Sequence, residues 1–306
     1  MLFRSMKKFI AMMATVAMVA GLAVGCGGGS DAEGGEGGAS GEFDPSMDIT
    51  IVSREDGSGT RGAFIELFGI EEEQEDGEKV DMTTEAAQIT NSTSVMLTTV
   101  AGDEYAIGYV SLGSLDDSVK AVKIDGAEAT ADNVKSGDYK VSRPFNIATK
   151  ADLNNPTATD FIAFIMSEEG QAVVAEEGYI PLDGVEAYAG DAPAGKVVVG
   201  GSSSVSPVME KLIEAYAKVN PEAEIELQTT DSTTGMENAI AGSYDIGMAS
   251  REVKDEELAE GLEAQVIATD GIAVVVNNAN PTEDLTSDQV KAIYTGEALT
   301  WDEVTE

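Results

Sequence analysis

The sequence predicts an α/β fold, because short β-rich runs alternate with segments whose apolar residues recur at helical spacing. This alternation is typical of α/β units with largely parallel sheets. A chain of 306 residues that is 42% hydrophobic can bury one large core or two moderate ones. A change in composition at residues 183–195, DGVEAYAGDAPAG, predicts a linker between two parts of the chain.

The elements before the linker follow in order. ITIVS is a predicted strand, and a helix starts at about Gly62. YAIGYVSL and VKAVKI are further predicted strands. Residues 157–178 carry apolar side chains at helical spacing and predict a helical segment that ends at Gly178.

The elements after the linker repeat the alternation. KVVVG predicts a strand, and the helix that follows places Val208, Leu212 and Tyr216 on one face. EIELQ, YDIGMAS and GIAVVVN predict strands, and TTGMENAIAG predicts a helix. The last predicted helix, LTSDQVKAIYTG, opens with the spacing of a capping box at Thr286 and Gln289.

The N-terminus predicts secretion. Residues 1–25 contain Lys7, Lys8 and a short apolar segment, which are typical of a signal peptide. The run from Leu22 to Cys26 resembles a bacterial lipobox, although Ala23 replaces the usual leucine, and Cys26 is the expected lipidation site. The alternative is an ordinary signal peptide with a chance cysteine. Residues 26–45 predict a lipidated cysteine with a flexible tether, and thus a location at the outer face of the cytoplasmic membrane.

The charge excludes several functions. The chain has 18 basic and 56 acidic residues, a net charge of −38 and no histidine. A field of this sign repels nucleic acid and anionic lipid, so we expect no nucleic-acid partner and membrane contact through the lipid anchor only. Without histidine, Ser-His and Cys-His catalysis is excluded.

The acidic run Glu71–Glu78 lacks the ligand spacing of an EF-hand, which favours a solvated loop over a calcium loop.

Three turns from a predicted strand to a predicted helix are rich in hydroxyl groups and glycine. They are SREDGSGT (53–60), GGSSSVSP (200–207) and TTDSTTG (229–235). Helix N-termini carry unpaired N–H groups and a partial positive charge, and Ser and Thr side chains add donors. Each turn alone is explained by helix capping. Together the three turns predict a shared site for an oxyanion.

These residues carry a family resemblance. SREDGSGTRGAF, SRPF, SEEGQAVV and GYIPL, together with GGSSSVSP, IGMASRE and DGIAVVVN, resemble the substrate-binding protein of the bacterial phosphate ABC transporter. The resemblance implies a type II periplasmic-binding-protein fold, with two α/β lobes, mixed sheets flanked by helices, and the ligand in the cleft between the lobes.

The order of the halves differs from the family's usual order. The half with GGSSSV normally precedes the half with SREDGSGT, whereas here it follows. The sequence therefore resembles a circularly permuted member, with residues 183–195 joining the usual termini. One lobe would then combine 46–142 with 279–306, and the other would comprise 146–276. A truncated tandem array or an incomplete gene remains the alternative.

The resemblance also implies site residues. The matching positions for phosphate contacts are Arg54, Asp56, Ser58, Gly59, Thr60, Ser203, Ser204 and Ser232. Part of the family has an aspartate where this chain has Arg251. Either Arg251 adds charge to the site, or it forms a surface ion pair and Ser250 contacts the ligand. Asp270 is then a candidate acceptor for the phosphate proton.

The function implied is that of an extracytoplasmic phosphate receptor that delivers its ligand to permease subunits. We expect a monomer that is not an enzyme and that uses no cofactor or metal. The alternatives are a receptor for another tetrahedral oxyanion such as sulfate, and a secreted phosphate-ester hydrolase.

Overall fold

The computed structural model describes residues 43–74 and 79–305, without the side chain of Thr305. The predicted signal peptide, Cys26 and nearly all of the predicted tether lie outside the described residues. Within the described ranges, no helix combines the length and the apolar content needed to cross a bilayer.

The strands begin at the end of the predicted tether and extend nearly to the C-terminal helices. They are β1 (Thr50–Arg54), β2 (Glu71–Glu73), β3 (Lys79–Asp81), β4 (Gln88–Thr90), β5 (Ala106–Ser111), β6 (Val119–Ala121), β7 (Lys123–Ile124), β8 (Ser142–Lys150), β9 (Gly195–Ser202), β10 (Ala223–Thr230), β11 (Ile246–Ala249), β12 (Leu262–Asn277) and β13 (Asp284–Leu285).

The helices alternate with these strands. They are α1 (Gly59–Leu67), α2 (Thr93–Ala101), α3 (Ala131–Ser136), α4 (Pro156–Ile165), α5 (Glu168–Glu176), α6 (Ser206–Val219), α7 (Ser232–Ala241), α8 (Asp255–Ala259), α9 (Ser287–Thr295) and α10 (Trp301–Thr305), with a 3-10 turn at Leu112–Ser114.

Local chemistry explains where two of these helices begin. The predicted capping box of α9 is present, since Thr286 N–H donates to Gln289 Oε1 at 2.7 Å and Gln289 N–H donates to Thr286 Oγ1 at 3.2 Å. The helical segment predicted over 157–178 is two helices, because Ser167 caps α5 by accepting from Gly170 N–H at 3.2 Å. A side chain at Gly170 would overlap the Phe164 carbonyl, so glycine allows the close turn between α4 and α5.

The main sheet has nine strands in the order β10-β9-β11-β8-β12-β5-β1-β4, with β6 paired to β12. The predicted α/β class is confirmed. The sheet is mixed rather than largely parallel. Strands β8 and β12 run antiparallel to their neighbours, whereas β1 runs parallel to β4 and β5, and β9 runs parallel to β10 and β11.

Two large hydrophobic clusters divide the strands of this long sheet between them. The first contains residues from 49–141 and 272–304. The second contains residues from 145–268. The lobe boundary predicted at 276 therefore falls too late, since Ile272–Val276 pack in the first cluster. We call the regions around the two clusters the first lobe and the second lobe.

The strands β8 and β12 connect the lobes. β12 pairs with β8 from Leu262 to Gly271 and with β5 from Ile272 to Val276. Arg143 and Asp270 lie opposite each other in this ladder, and Arg143 Nη2 is 3.1 Å from Asp270 Oδ2. Both side chains are almost fully buried. An antiparallel pair of strands with a buried ion pair thus forms the crossover.

The two ends of the described chain meet in the first lobe. Ile49 N–H donates to Leu299 O at 2.8 Å, and Asp302 N–H donates to Pro45 O at 2.8 Å. A permuted chain predicts that residues 49–53 lie beside the segment around Trp301, and this neighbourhood is confirmed. The chain after residue 42 forms one compact unit rather than two separate halves.

The segment 183–195 is anchored to the second lobe. Tyr188 OH donates to Asp160 Oδ2 at 2.6 Å, and Asp191 N–H donates to Asp160 Oδ1 at 2.9 Å. Asn220 Nδ2 donates to Pro193 O at 3.0 Å. The Tyr188 ring also packs edge-on against Phe164. The predicted linker is therefore a fixed part of the lobe surface.

We expect Tyr188→Phe to destabilise the protein by about 1.5–3 kcal/mol, because the change removes a hydrogen bond to a carboxylate and keeps the ring. Urea unfolding would measure the loss. Tyr244→Phe is a matched control, since Tyr244 OH donates to the neutral Gln228 side chain at 3.1 Å and its loss should cost only about 1 kcal/mol. Equal stabilities for Tyr188→Phe and the parent would show that the segment is not anchored by this contact.

Candidate functional site

The candidate site lies where strands end and helices begin. β1 leads to α1, β4 to α2, β9 to α6 and β10 to α7. In open α/β sheets, ligands bind outside the carboxyl ends of strands, and helix N-termini there present unpaired N–H groups. Three of these turns carry the predicted hydroxyl-rich segments. The fourth, residues 91–94 (NSTS), has the same composition and was not recognised in the sequence.

Arg54, at the end of β1, is held in place on several sides. Its Nε and Nη2 donate to the two carboxylate oxygens of Glu55 at 2.8 and 2.7 Å. Burial raises the pKa of Tyr109 to about 12, so this phenol stays neutral while its oxygen accepts from Arg54 N–H at 3.1 Å. Nη2 also donates to Ser203 Oγ of the second lobe at 3.1 Å. The guanidinium is thus fixed with one edge toward the opposite lobe.

Hydroxyl groups from both lobes meet beside this guanidinium. Thr60 Oγ1 is 2.8 Å from Ser204 Oγ, and Thr93 Oγ1 is 3.3 Å from the hydroxyls of both Ser203 and Ser204. Thr93 is also 3.5 Å from Arg54 Nη1. We call Arg54, Thr60, Thr93, Ser203 and Ser204 the donor ring. Its most exposed member, Ser203, is only 8% exposed, so the ring is shielded from water.

Gly59 lies against a second group of serines. Ser250 N–H donates to Ser232 Oγ at 3.1 Å, and Ser202 Oγ donates to Ser250 Oγ at 2.9 Å. A Cβ at Gly59 would lie 2.4 Å from Ser232 Oγ and 2.9 Å from Ser250 Oγ. The predicted positions Gly59, Ser232 and Ser250 are therefore neighbours across the lobe contact.

Asp56 and Ser58 have roles at the edge of the loop. The Asp56 side chain is 97% exposed and its Oδ1 accepts from Arg61 Nη1 at 2.6 Å. Ser58 caps α1 by accepting from Arg61 N–H at 3.3 Å. The carboxylate that orients Arg54 is therefore Glu55, and Asp56, a predicted phosphate contact, pairs with Arg61 instead. Sequence spacing could not distinguish two adjacent acids on a turn.

Arg251 forms an ion pair. Its Nη1 and Nη2 donate to the Glu257 carboxylate at 2.9 and 2.7 Å, and Nη2 is 3.4 Å from Thr233 Oγ1. Burial alone would raise the pKa of Glu257, but the hydrogen bond and charge of Arg251 hold it below its usual range. Of the two alternatives for Arg251, this geometry agrees with the ion pair, with Glu257 as partner.

Asp270 uses all of its carboxylate in the crossover. Oδ1 accepts from Ser111 Oγ at 2.9 Å and from Leu112 N–H at 3.2 Å, while Oδ2 accepts from Arg143 at 3.1 and 3.3 Å. Burial raises the pKa of Asp270 to about 6, against the opposing charge of Arg143. The carboxylate is therefore ionised at neutral pH and is engaged by Arg143, Ser111 and Leu112 rather than by the donor ring.

The site is equipped to hold an anion. The donor ring offers a guanidinium and hydroxyl groups at helix N-termini, which are the groups that bind oxyanions in proteins. Among residues 43–74 and 79–305, no cluster of three or more acidic, cysteine or histidine side chains could hold a metal ion. Thr93 and Glu55 are the residues that sequence reasoning missed. The hydroxyl-rich turn at 91–94 was the available signal for Thr93.

The sequence matches known proteins along most of its length. The model of the PBP superfamily domain matches residues 39–169 and 186–306. The phosphate-binding protein PstS 2 of Streptococcus agalactiae serotype V is 60% identical over 256 residues, covering 84% of this chain and 87% of that protein. The protein of the same name from Streptococcus pneumoniae serotype 4 is 43% identical over 267 residues, covering 87% and 91%.

A solved structure agrees with these matches. The crystal structure of a phosphate-binding protein of a phosphate ABC transporter from Streptococcus pneumoniae TIGR4 superposes with a TM-score of 0.66 at 44% identity, covering 84% of this chain and 99% of that one. Matches of this extent include both halves, so these streptococcal proteins share the order found here. The predicted two-lobed periplasmic-binding-protein fold is confirmed. The chain therefore belongs to the PBP superfamily and, within it, to the family of the streptococcal PstS 2 proteins.

Proposed function

We propose that this protein is a receptor for inorganic phosphate that works outside the cytoplasmic membrane and delivers phosphate to the permease subunits of an ABC transporter. The observation that carries the proposal is the donor ring, in which Arg54 Nη2 of the first lobe reaches Ser203 Oγ of the second at 3.1 Å. An anion that accepts from both lobes stabilises the closed arrangement. The names of the relatives support the choice of phosphate.

The predicted lipid anchor at Cys26 fits this role, since a tethered receptor stays near its permease. Delivery requires no covalent chemistry, and the donor ring contains no histidine or cysteine that could act as a base or nucleophile. Hydroxyl groups alone are weak nucleophiles without such a base. We therefore propose binding and release rather than catalysis.

Selectivity against sulfate requires an acceptor for the proton that phosphate keeps near neutral pH. Asp56 is paired with Arg61, and Asp270 is engaged with Arg143, so neither lies free in the ring. Glu55 is the carboxylate attached to the ring, because both of its oxygens accept from Arg54. Each carboxylate oxygen has a further lone pair, so Glu55 can accept a hydrogen bond from the protonated oxygen of phosphate and repel fully ionised sulfate.

Calorimetric titration with phosphate and sulfate tests this proposal. We expect phosphate to bind at least about 100-fold more tightly, which is the scale of an unpaired buried polar group. Glu55→Gln should weaken phosphate binding and reduce the difference in affinity between phosphate and sulfate, since an amide can turn its NH2 toward sulfate. Equal affinities in the parent protein would favour a general oxyanion receptor. Turnover of a chromogenic phosphate ester would instead favour the hydrolase.

Arg54→Ala should weaken phosphate binding by about 10- to 100-fold or more. The change removes a charge-assisted contact worth about 1.5–3 kcal/mol and leaves Glu55 without its partner. Arg54→Lys keeps the charge but loses the planar fork, so its affinity should fall between those of the parent and the alanine variant. Titration measures both variants, and a parent-like affinity for Arg54→Ala would contradict the assignment of this loop.

Thr93→Val should weaken phosphate binding by about fivefold, the effect of losing one neutral hydrogen bond of about 1 kcal/mol. Valine keeps the branched shape while removing the hydroxyl that lies 3.3 Å from Ser203 and Ser204. Thr98→Val is the matched control on the same helix, because the exposed Thr98 hydroxyl donates only to Ser94 O. Identical affinities for the two variants would remove Thr93 from the site.

A further inference from the structure

One backbone contact joins the lobes next to the donor ring. Thr233 N–H, in the first turn of α7, donates to Gly57 O at 3.2 Å. Gly57 precedes the N-cap of α1 in the first lobe, and α7 belongs to the second. The loop that carries Arg54 thus touches the N-terminus of α7 directly.

Gly57 leaves no room for a side chain in this contact. A Cβ at Gly57 would lie 2.4 Å from Asp231 Oδ1 and 2.7 Å from Asp231 Cγ, which is closer than atoms can approach. Gly57 is not among the glycines with positive φ, so no left-handed backbone conformation requires glycine at this position. The requirement for glycine therefore comes from the opposite lobe and exists only while the lobes are in contact.

Asp231 is held in position where it meets Gly57. It caps α7, with Oδ1 accepting from Thr234 N–H at 2.9 Å and Oδ2 accepting from Thr234 Oγ1 at 2.6 Å. Rotating the carboxylate away from a new methyl group would break this cap. The clash between a methyl group at position 57 and Asp231 is therefore relieved most readily by separating the lobes.

We propose that Gly57 and Asp231 form a closure stop, a contact that sets how far the lobes close and thereby positions the donor ring around the anion. This inference rests on the proposed function of phosphate binding. A methyl group at 57 leaves the residues of the ring unchanged but halts closure before Arg54 reaches Ser203 and Thr60 reaches Ser204. Gly57 is a positioning residue and not itself required as a ligand.

The test compares the parent with Gly57→Ala and with Gly62→Ala, by titration with inorganic phosphate and by small-angle X-ray scattering with and without phosphate. Gly62 is the matched control, because it lies in α1 and a Cβ there would meet no atom within 4 Å. We expect Gly57→Ala to bind phosphate at least about tenfold more weakly. Its radius of gyration should contract less on phosphate addition, while Gly62→Ala should match the parent in both measurements.

A rescue variant separates closure from local damage. Asp231→Gly removes the side chain that the methyl group would strike, and glycine is an acceptable N-cap. We expect the double variant Gly57→Ala, Asp231→Gly to bind phosphate as well as Asp231→Gly alone, because alanine at position 57 then meets no side chain at position 231.

The outcomes distinguish the two proposals. A parent protein that does not bind phosphate would refute the proposed function and this inference with it. A parent that binds, together with a Gly57→Ala variant of equal affinity, would refute the closure stop alone. The same holds if Gly57→Ala weakens phosphate binding by the same factor in the parent and in the Asp231→Gly background.

Discussion

The pairing of β8 with β12 is the constraint on which both lobes depend. These strands run through the junction of the two hydrophobic clusters, and Arg143 and Asp270 face each other there as a buried cross-strand ion pair. Removing one partner would leave an uncompensated charge in the core, which is far more costly than losing a surface pair. The same carboxylate accepts from Ser111 and Leu112 at the end of β5. One aspartate thus fixes the crossover against the first lobe.

A chain with a net charge of −38 still presents a guanidinium at the lobe contact, where Arg54 reaches Ser203. Each arginine of the described residues forms an ion pair with a carboxylate. The pairs are Arg54 with Glu55, Arg61 with Asp56 and Asp81, Arg143 with Asp270, and Arg251 with Glu257. These pairs hold the guanidinium groups in fixed orientations. The long-range field is screened beyond about 8 Å at physiological salt, so the local donors of the ring decide binding.

Local patterns in the sequence predicted most of the elements and part of the site. The capping box at Thr286 and the turn at Arg54 depend on neighbours in the chain, which periodicity and motifs report. The features of the site that the sequence did not predict depend on the course of the backbone in three dimensions or on contacts between distant residues. The turn after β1 brings the Glu55 carboxylate to Arg54 and the Asp56 carboxylate to Arg61. The engagement of Asp270 depends on its register with Arg143, which lies 127 positions away. The break between α4 and α5 was readable in principle, since Ser167 is an ordinary cap.

The order of the halves changes how the lobes are assembled more than what they contain. The second lobe is drawn from one continuous stretch between the strands β8 and β12, whereas the first needs residues from both ends of the described chain. Trp301 is fully buried in the first cluster with Ile49, and its indole N–H donates to Tyr105 O at 3.1 Å. Closing such a long loop costs conformational entropy before any contact offsets it. The anchored segment 183–195 closes the second lobe without a chain end, so this lobe does not depend on contacts between the two ends of the described chain. This order of the halves therefore makes the contact of Asp302 with Pro45 a long-range one, in the same lobe as Arg54.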